Sequence, residues 1–231
     1  MKAKRRNLLT VSPLYNGDRL TRQEFHRRYE ASPDDVRAEL IEGVVHMPSP
    51  VRDPHFGYHF ELCVVTGQYK RATPGVKGGI EPTVMVDDDN EPQPDILLRI
   101  ISECRGQTRV NAKKYLEGAP EWIGEIAHSS KAIDLGKKKD AYFKAGVQEY
   151  LVVCVEEREL RWFHFPSRRK LRPDKNGVWK SKAFPGFWLD EPALHAQDSD
   201  QLFITMQKGI ESPEHAEFVA KLERFRRGGG R

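Results

Sequence analysis

The stretch PEWIGEIAHSSKAIDLGKKKDAYFKAGVQEYLVV, Pro120 to Val153, decides the fold. Trp122 to Ala127 (WIGEIA) reads as a buried strand carrying one carboxylate, Glu125. His128 to Lys131 is a polar turn, and about Ile133 to Ala145 has helical periodicity that Gly146 stops. Glu149 to Val155 is a second apolar strand. A strand, a crossover helix and another strand form a compact α/β unit, and such units carry chemistry at their strand ends. The fold class is therefore α/β (α+β).

Within WIGEIA, period-2 alternation puts Trp122, Gly124 and Ile126 on one face and Ile123, Glu125 and Ala127 on the other. A carboxylate among isoleucines and alanine is costly to desolvate unless it is paired, protonated or bound to metal. The helix supplies a partner. At 100° per residue, Leu135, Lys138, Ala141, Tyr142 and Ala145 share one stripe, while Lys137 points away. A Glu125–Lys138 salt bridge, or a lysine that snorkels outward along its own stem, explains the pair without chemistry. An active centre explains it too.

Upstream, EPQPDILLRI sets Asp95 at the start of an apolar run directly after Pro94, whose ring favours an extended predecessor. A strand-entry Asp is common. Here it joins an acid inside the next strand and an inward lysine. Two carboxylates about 4 Å apart repel by roughly 4 kcal/mol at an effective dielectric of 20. A hard divalent cation relieves that, and Mg²⁺ chooses all-oxygen surroundings while keeping several waters.

These residues carry a resemblance. The order ELIEG (from Glu39), QPDILL (Asp95), EWIGEIAHSS (Glu125) and DLGKKKDAYFKAGVQEYLVV is similar to the bacterial "putative restriction endonuclease" family, formerly a domain of unknown function, of the PD-(D/E)XK nuclease superfamily. It covers roughly Leu20 to Asp190, and its most specific part is the run Lys138, Tyr142, Gly146, Val147, Glu149 and Tyr150. Members typically lack a lysine two residues after the second acid and carry one on the following helix. Here that slot is Ala127, and the displaced lysine maps onto Lys138, in agreement with the helical stripe. The chain departs from the family in having no proline after Glu125, and in Leu151 and Cys154, where Trp and Asp are common.

The resemblance implies a restriction-endonuclease-like core, a mixed β-sheet flanked by helices with extra β-hairpins, and a metal-dependent endonuclease that hydrolyses DNA phosphodiesters. Asp95, Glu125 and the backbone carbonyl of Ile126 would hold Mg²⁺ (or Mn²⁺), which polarises the scissile phosphate and acidifies water. Lys138 would orient or help deprotonate the attacking water and offset transition-state charge. Glu39 aligns with the acid of the E-L-I-x-G segment and would support a metal-bound water; a hairpin-edge charge accounts for it equally well. His55 falls where the family often has a histidine, so it is a candidate for substrate contact; a helix-start histidine is the plainer account of it. A homodimer follows by analogy, since two antiparallel strands are conveniently cut by two copies.

Along the rest of the chain, 231 residues suit one domain with arms. The reading assigns residues 1–19 to a basic arm with Lys2, Lys4, Arg5 and Arg6, 20–195 to the core, and 196–231 to a C-terminal helix and Gly-rich tail. Thr21 and Glu24 form a capping box with a Leu20–Phe25 staple, opening a helix to about Tyr29. ELIEGVVHM is a tight hairpin broken at Gly43. Asp53 and Pro54 cap a helix from His55 to Arg71. His55 and His59 stand four apart, yet no third ligand lies at motif distance, so zinc is not expected. Strands near Thr83 to Val86 and Asp95 to Ile100 flank the acidic turn at Asp87, Asp88 and Asp89. Beyond the central unit come strands in a meander with a turn at Asn176–Gly177, and a last helix from about Pro213 to Arg227 capped by Ser212. Trp162, Trp179, Phe184, Phe187 and Trp188 read as packing residues. Arg168, Arg169 and Lys170 form the densest basic loop and could neutralise phosphates.

A net charge of +4 and pI near 8.9 permit nucleic-acid binding without compelling it. Hydrophobic content of 38% with 31% charged residues fits a soluble protein, with no apolar run of membrane length. Three cysteines without C-x-x-C spacing point to a reducing cytoplasm. There is no Walker loop, G-x-G-x-x-G or G-x-S-x-G, so nucleotide hydrolysis, dinucleotide redox and serine-hydrolase chemistry lack their parts. The alternative to an endonuclease is a nuclease-like module that binds DNA or a protein without cutting.

Overall fold

The computed structural model describes residues 11–48 and 53–228. The basic cluster Lys2, Lys4, Arg5 and Arg6 and the tail beyond Gly228 lie outside the described residues. In chain order, α1 (Arg22–Ala31) precedes the hairpin β1 (Glu39–Ile41) and β2 (Val44–His46), followed by α2 (His55–Ala72) and β3 (Val76–Ile80). Next come β4 (Val84–Met85), β5 (Ile96–Ile100), β6 (Arg109–Val110), β7 (Leu116–Glu117) and β8 (Trp122–Ala127). The crossover helix starts as α3 (Lys131–Ile133), passes through a π-helical turn (Asp134–Lys138) and resumes as α4 (Lys139–Ala145). After it run β9 (Glu149–Cys154), β10 (Glu159–His164), β11 (Arg169–Lys170), β12 (Val178–Lys180), β13 (Trp188–Asp190), α5 (Glu191–Ala196), α6 (Ser199–Ile210) and α7 (Pro213–Gly228).

Six of these strands make one mixed sheet in the order β11-β10-β9-β8-β5-β3, antiparallel except for the β8–β9 pair. That parallel pair needs a crossover, which the kinked helix supplies. Every residue of β8 and β9 is buried, as befits strands covered on both faces. The alternation read in WIGEIA is realised. Trp122 and Ile126 join the core formed with α2, α6 and α7, while Ile123 and Ala127 join Tyr142, Tyr150 and Val152 on the crossover side. Gly124 is required here, because a Cβ would meet the Trp122 ring at 2.7 Å. Gly146 ends the helix in the left-handed region at φ +93°, its N–H bonded to Phe143 and Tyr142 carbonyls.

Local signals behave as their chemistry demands. The Thr21 hydroxyl accepts from the Glu24 N–H at 3.3 Å, but the Glu24 side chain turns to Arg27 and Arg28, so only half of the expected capping box forms. The tight hairpin is present, with Glu42 and Gly43 both at positive φ, as a two-residue primed turn requires. The Ser212 hydroxyl accepts from His215 N–H at the start of α7. Trp162, Trp179, Phe184 and Phe187 are buried in the main core, and Trp188 is half-buried beneath the Lys180 ammonium.

Four expectations need correction. Asp53 does not cap α2, for Pro54 holds the N-cap position without a side-chain bond. Residues 78–100 hold more than two strands: β3 pairs antiparallel with β5, and its VKGGI sequence hid it because two glycines and a lysine erase the period. The strand near Thr83 to Val86 is short and belongs to a separate three-stranded sheet with β7 and β6. The helices α5 and α6 had no expected counterpart. Residues beyond 196 contribute Leu202, Met206, Phe218 and Leu222 to the same core as Trp122.

Candidate active site

The register of the sheet assembles the site. Ile96 pairs with Gly124, so Asp95, one residue before β5, stands opposite Glu125 in β8. The Asp95 N–H donates to Glu125 Oε2 at 3.3 Å, and the Ile126 N–H donates to Asp95 Oδ2 at 2.6 Å. A strand residue sends its N–H and C=O to the same edge, so the Ile126 carbonyl also faces the Asp95 side. From the crossover helix Lys138 reaches in, its Nζ 2.8 Å from Glu125 Oε1, 3.2 Å from Glu39 Oε2 and 3.7 Å from Asp134 Oδ1. The Tyr142 hydroxyl, one turn further along, donates to Glu125 Oε1 at 3.1 Å. Lys137 is exposed, as its place off the stripe requires.

Glu39 arrives from β1, and its Oε2 also accepts from the Gln93 N–H at 3.2 Å. It is therefore more than a hairpin-edge charge. His55 lies in the first turn of α2 with Nε2 3.6 Å from Asp95 Oδ2, while His59 Nε2 donates to the Asp95 carbonyl at 2.9 Å. The two histidines thus brace Asp95 and do not converge on a common ligand. Arg168, Arg169 and Lys170 are not brought to this centre. They sit at β11, the sheet edge, where Lys170 pairs with Phe163 and Arg169 with His164. Phe163 and His164 oppose Tyr150 and Glu149, towards the end of β9 that starts beside Trp122. Three strand spacings from β8 make that roughly 14 Å sideways alone.

Asp134 was missed by sequence. It is buried, its carboxylate accepts from the Ser130 hydroxyl at 2.5 Å, and its carbonyl accepts from the Tyr150 hydroxyl at 3.1 Å. The signal was available: Asp134, Lys138 and Tyr142 are spaced four apart, so they share a helix face. The π-helical turn, with Gly136 at φ −107° and ψ −107°, spoils a strict wheel between them.

The electrostatics follow from crowding four acids around one ammonium. Burial pushes the Glu125 carboxyl well above its ordinary 4.5 despite Lys138, with Asp95, Asp134 and Glu39 adding to the rise. Burial likewise raises Asp134. Burial opposes the charge on Lys138, yet Glu125, Glu39 and Asp134 together hold its pKa well above 10.5. Asp95 is the acid that falls: burial would raise it, but His55, the Ile126 N–H and Lys138 prevail. His55 in turn is raised above 6.5, since Asp95 outweighs its burial.

A titration tests that last pair. In the metal-free protein the His55 imidazole is expected to titrate above 6.5 by NMR, and lower in Asp95→Asn, where burial is opposed only by the remaining pull of Asp134 and Glu81. A histidine raised on folding contributes stability that is complete below its unfolded pKa and fades as pH rises through the folded value. Asp95→Asn should therefore cost more stability at pH 6 than at pH 9 by denaturant melts.

A mixed sheet with a parallel crossover pair, an acid just before one strand, an acid inside its neighbour and a lysine from the crossover helix defines a nuclease-like α/β fold. A crystal structure described as that of a putative nuclease belonging to DUF820, from Anabaena variabilis ATCC 29413, matches with a TM-score of 0.60 at 18% identity, over 77% of this chain and 98% of that one. The family model Uma2, "Putative restriction endonuclease", matches residues 22–192, and the chain belongs to that family. No curated protein matches it.

Proposed function

We propose that this protein is a divalent-metal-dependent endonuclease acting on DNA, with Asp95, Glu125 and Lys138 at its centre. The observation that carries the reading is the convergence of Lys138 Nζ on Glu125 at 2.8 Å, with Asp95 across the strand pair. Side chains from a strand start, a strand interior and a helix meet in one place, and their buried acids outnumber the cations. Such excess negative charge is costly without a further positive ion.

Among the described residues no group of three or more His, Cys, Asp or Glu is arranged to hold a metal. The donors present still suit Mg²⁺ or Mn²⁺, for a hard ion takes oxygen ligands and often only one or two protein carboxylates, keeping its waters. Asp95, partly open to solvent, Glu125 and the Ile126 carbonyl would hold it. When bound, such an ion polarises the scissile phosphate and lowers the pKa of water. The remaining work belongs to the chain. Lys138 is an ammonium at neutral pH, so its part is to donate hydrogen bonds to the attacking water and to offset charge growing on the phosphate oxygens. Glu39 and Asp134 hold that ammonium from two sides, and His55 keeps Asp95 ionised.

The test is nicking of supercoiled plasmid with Mg²⁺ or Mn²⁺, run beside calorimetric metal titration. The expected result is metal-dependent nicking by the native chain and its loss in Asp95→Ala, with the heat of metal binding lost in parallel. Intact plasmid together with Asp95-dependent metal binding would instead mark a nuclease-like module that binds DNA without cutting.

A further inference from the structure

Helix α2 is apolar on the wrong side as well as the right one. Tyr58, Leu62, Val65 and Tyr69 face the core. On the opposite face Phe56 is 56% exposed, Phe60 66% and Val64 37%, with Cys63 half-buried beside them and Gly67 open. No charged side chain interrupts this outer face from His55 to Gln68. Phe203 of α6, 49% exposed and tied to α2 through its carbonyl and Gln68, widens the patch. A helix that is hydrophobic all round is normally covered, and a contiguous patch of this size marks an interaction site.

We infer that the outer face of α2 pairs with the same face of a second copy of this chain, antiparallel about a two-fold axis near Glu61 and Leu62. The face is complementary to itself only in that sense. Its first half carries knobs, Phe56 and Phe60; its second half carries a notch, Gly67, where an added Cβ would touch nothing within 4 Å. About this one centre Phe56 falls on the partner's Gly67 and Phe60 on the partner's Cys63. The same operation sets Asp53, one turn before the stripe, against the partner's Lys70, with Arg71 alongside. All three charged residues are exposed, and none has an ion-pair partner among the described residues. An isologous contact requires this matching of opposite charge at opposite ends.

The size is adequate. A phenylalanine buries about 150–250 Å² when fully covered. Three half-exposed rings with their aliphatic neighbours and a charged rim approach the roughly 800 Å² per partner of a stable specific interface. A two-fold perpendicular to both helices also keeps the His55 edges of the two copies on one side of the pair. The inference does not depend on the proposed activity.

Light scattering after size exclusion reads it directly. The native chain is expected at twice 26.6 kDa at tens of micromolar. Phe60→Glu is expected at the monomer mass with an unchanged circular dichroism spectrum, since the position is exposed, and with a Tm that no longer depends on protein concentration. A Phe56→Ala, Phe60→Ala double variant, which adds no charge, should weaken association in the same direction. Asp53→Lys should weaken the dimer several-fold, and Asp53→Lys with Lys70→Glu should restore it. A monomeric native chain overturns the inference, as does a Phe60→Glu protein that stays dimeric or a charge swap that fails to restore association.

Discussion

Lys138→Ala is expected to cost about 3–5 kcal/mol of folding stability at neutral pH, the range seen when one partner of a buried ion pair is removed. The ammonium is only 6% exposed and sits within 4 Å of Glu125, Glu39 and Asp134. Without it, two nearly dry carboxylates and a third at 16% exposure face one another with no counter-charge. The pH dependence has a definite sign. Glu125 and Asp134 already carry raised pKa values, and losing Lys138 lifts them further. A carboxyl raised on folding favours the folded state while protonated, and that advantage is lost as pH climbs from its unfolded value, near 4, through its folded one. The variant should therefore lie closest to the native chain near pH 5 and furthest from it near pH 8 in urea melts. Plasmid nicking should vanish as well, but the stability profile is the sharper readout, because a surface lysine would leave it flat.

The same contacts show what the sequence could and could not reveal. Burial of β8 on both faces was legible because WIGEIA has no polar residue except Glu125, and the inward turn of Lys138 because an apolar stripe brackets it. Glu39 was legible only through the family motif. Nothing local ties it to a lysine 99 positions later, and the contact exists because the β1–β2 hairpin docks over Gln93, whose N–H meets the same carboxylate. Asp134 escaped although its i, i+4 spacing sets it beside Lys138, because an acid in the first turn of a helix reads equally well as a charge that faces the helix dipole. The basic loop at Arg168 to Lys170 was legible as charge but not in its position. Charge density in sequence marked it for phosphates, whereas strand order alone puts it on the far edge of the sheet. The helix α5 went unseen since it is only one and a half turns long; α6 was legible, for it opens on an Asp198 cap and carries Leu202, Phe203, Ile204, Met206 and Ile210, and the reading passed over it.

Glu149, in the most specific stretch of the motif, has a different job, and its replacement is the other large effect. Both its oxygens are saturated from inside the protein. Oε1 accepts from the Lys182 N–H at 2.6 Å and the Ala183 N–H at 3.0 Å; Oε2 accepts from the Ser181 hydroxyl at 2.7 Å and the Trp162 indole at 3.1 Å. The side chain is fully buried at the start of β9 and fastens the turn before Phe184 to the sheet. Glu149→Ala orphans four donors, each costing about 1–3 kcal/mol when left unmet, less what relaxation and entering water return. A net loss of about 3–5 kcal/mol in urea melts is expected, placing the change among the severe single substitutions. Glu149→Gln should recover only part of it, since an amide offers one acceptor oxygen and turns donors of its own towards donors. Because Glu149 faces the indole side of the sheet and not Lys138, whatever Glu149→Gln protein folds should keep the His55 titration of the native chain. A shift of that titration, with the fold intact, would show that the turn at residues 181–184 and the acid cluster are coupled through β9 after all.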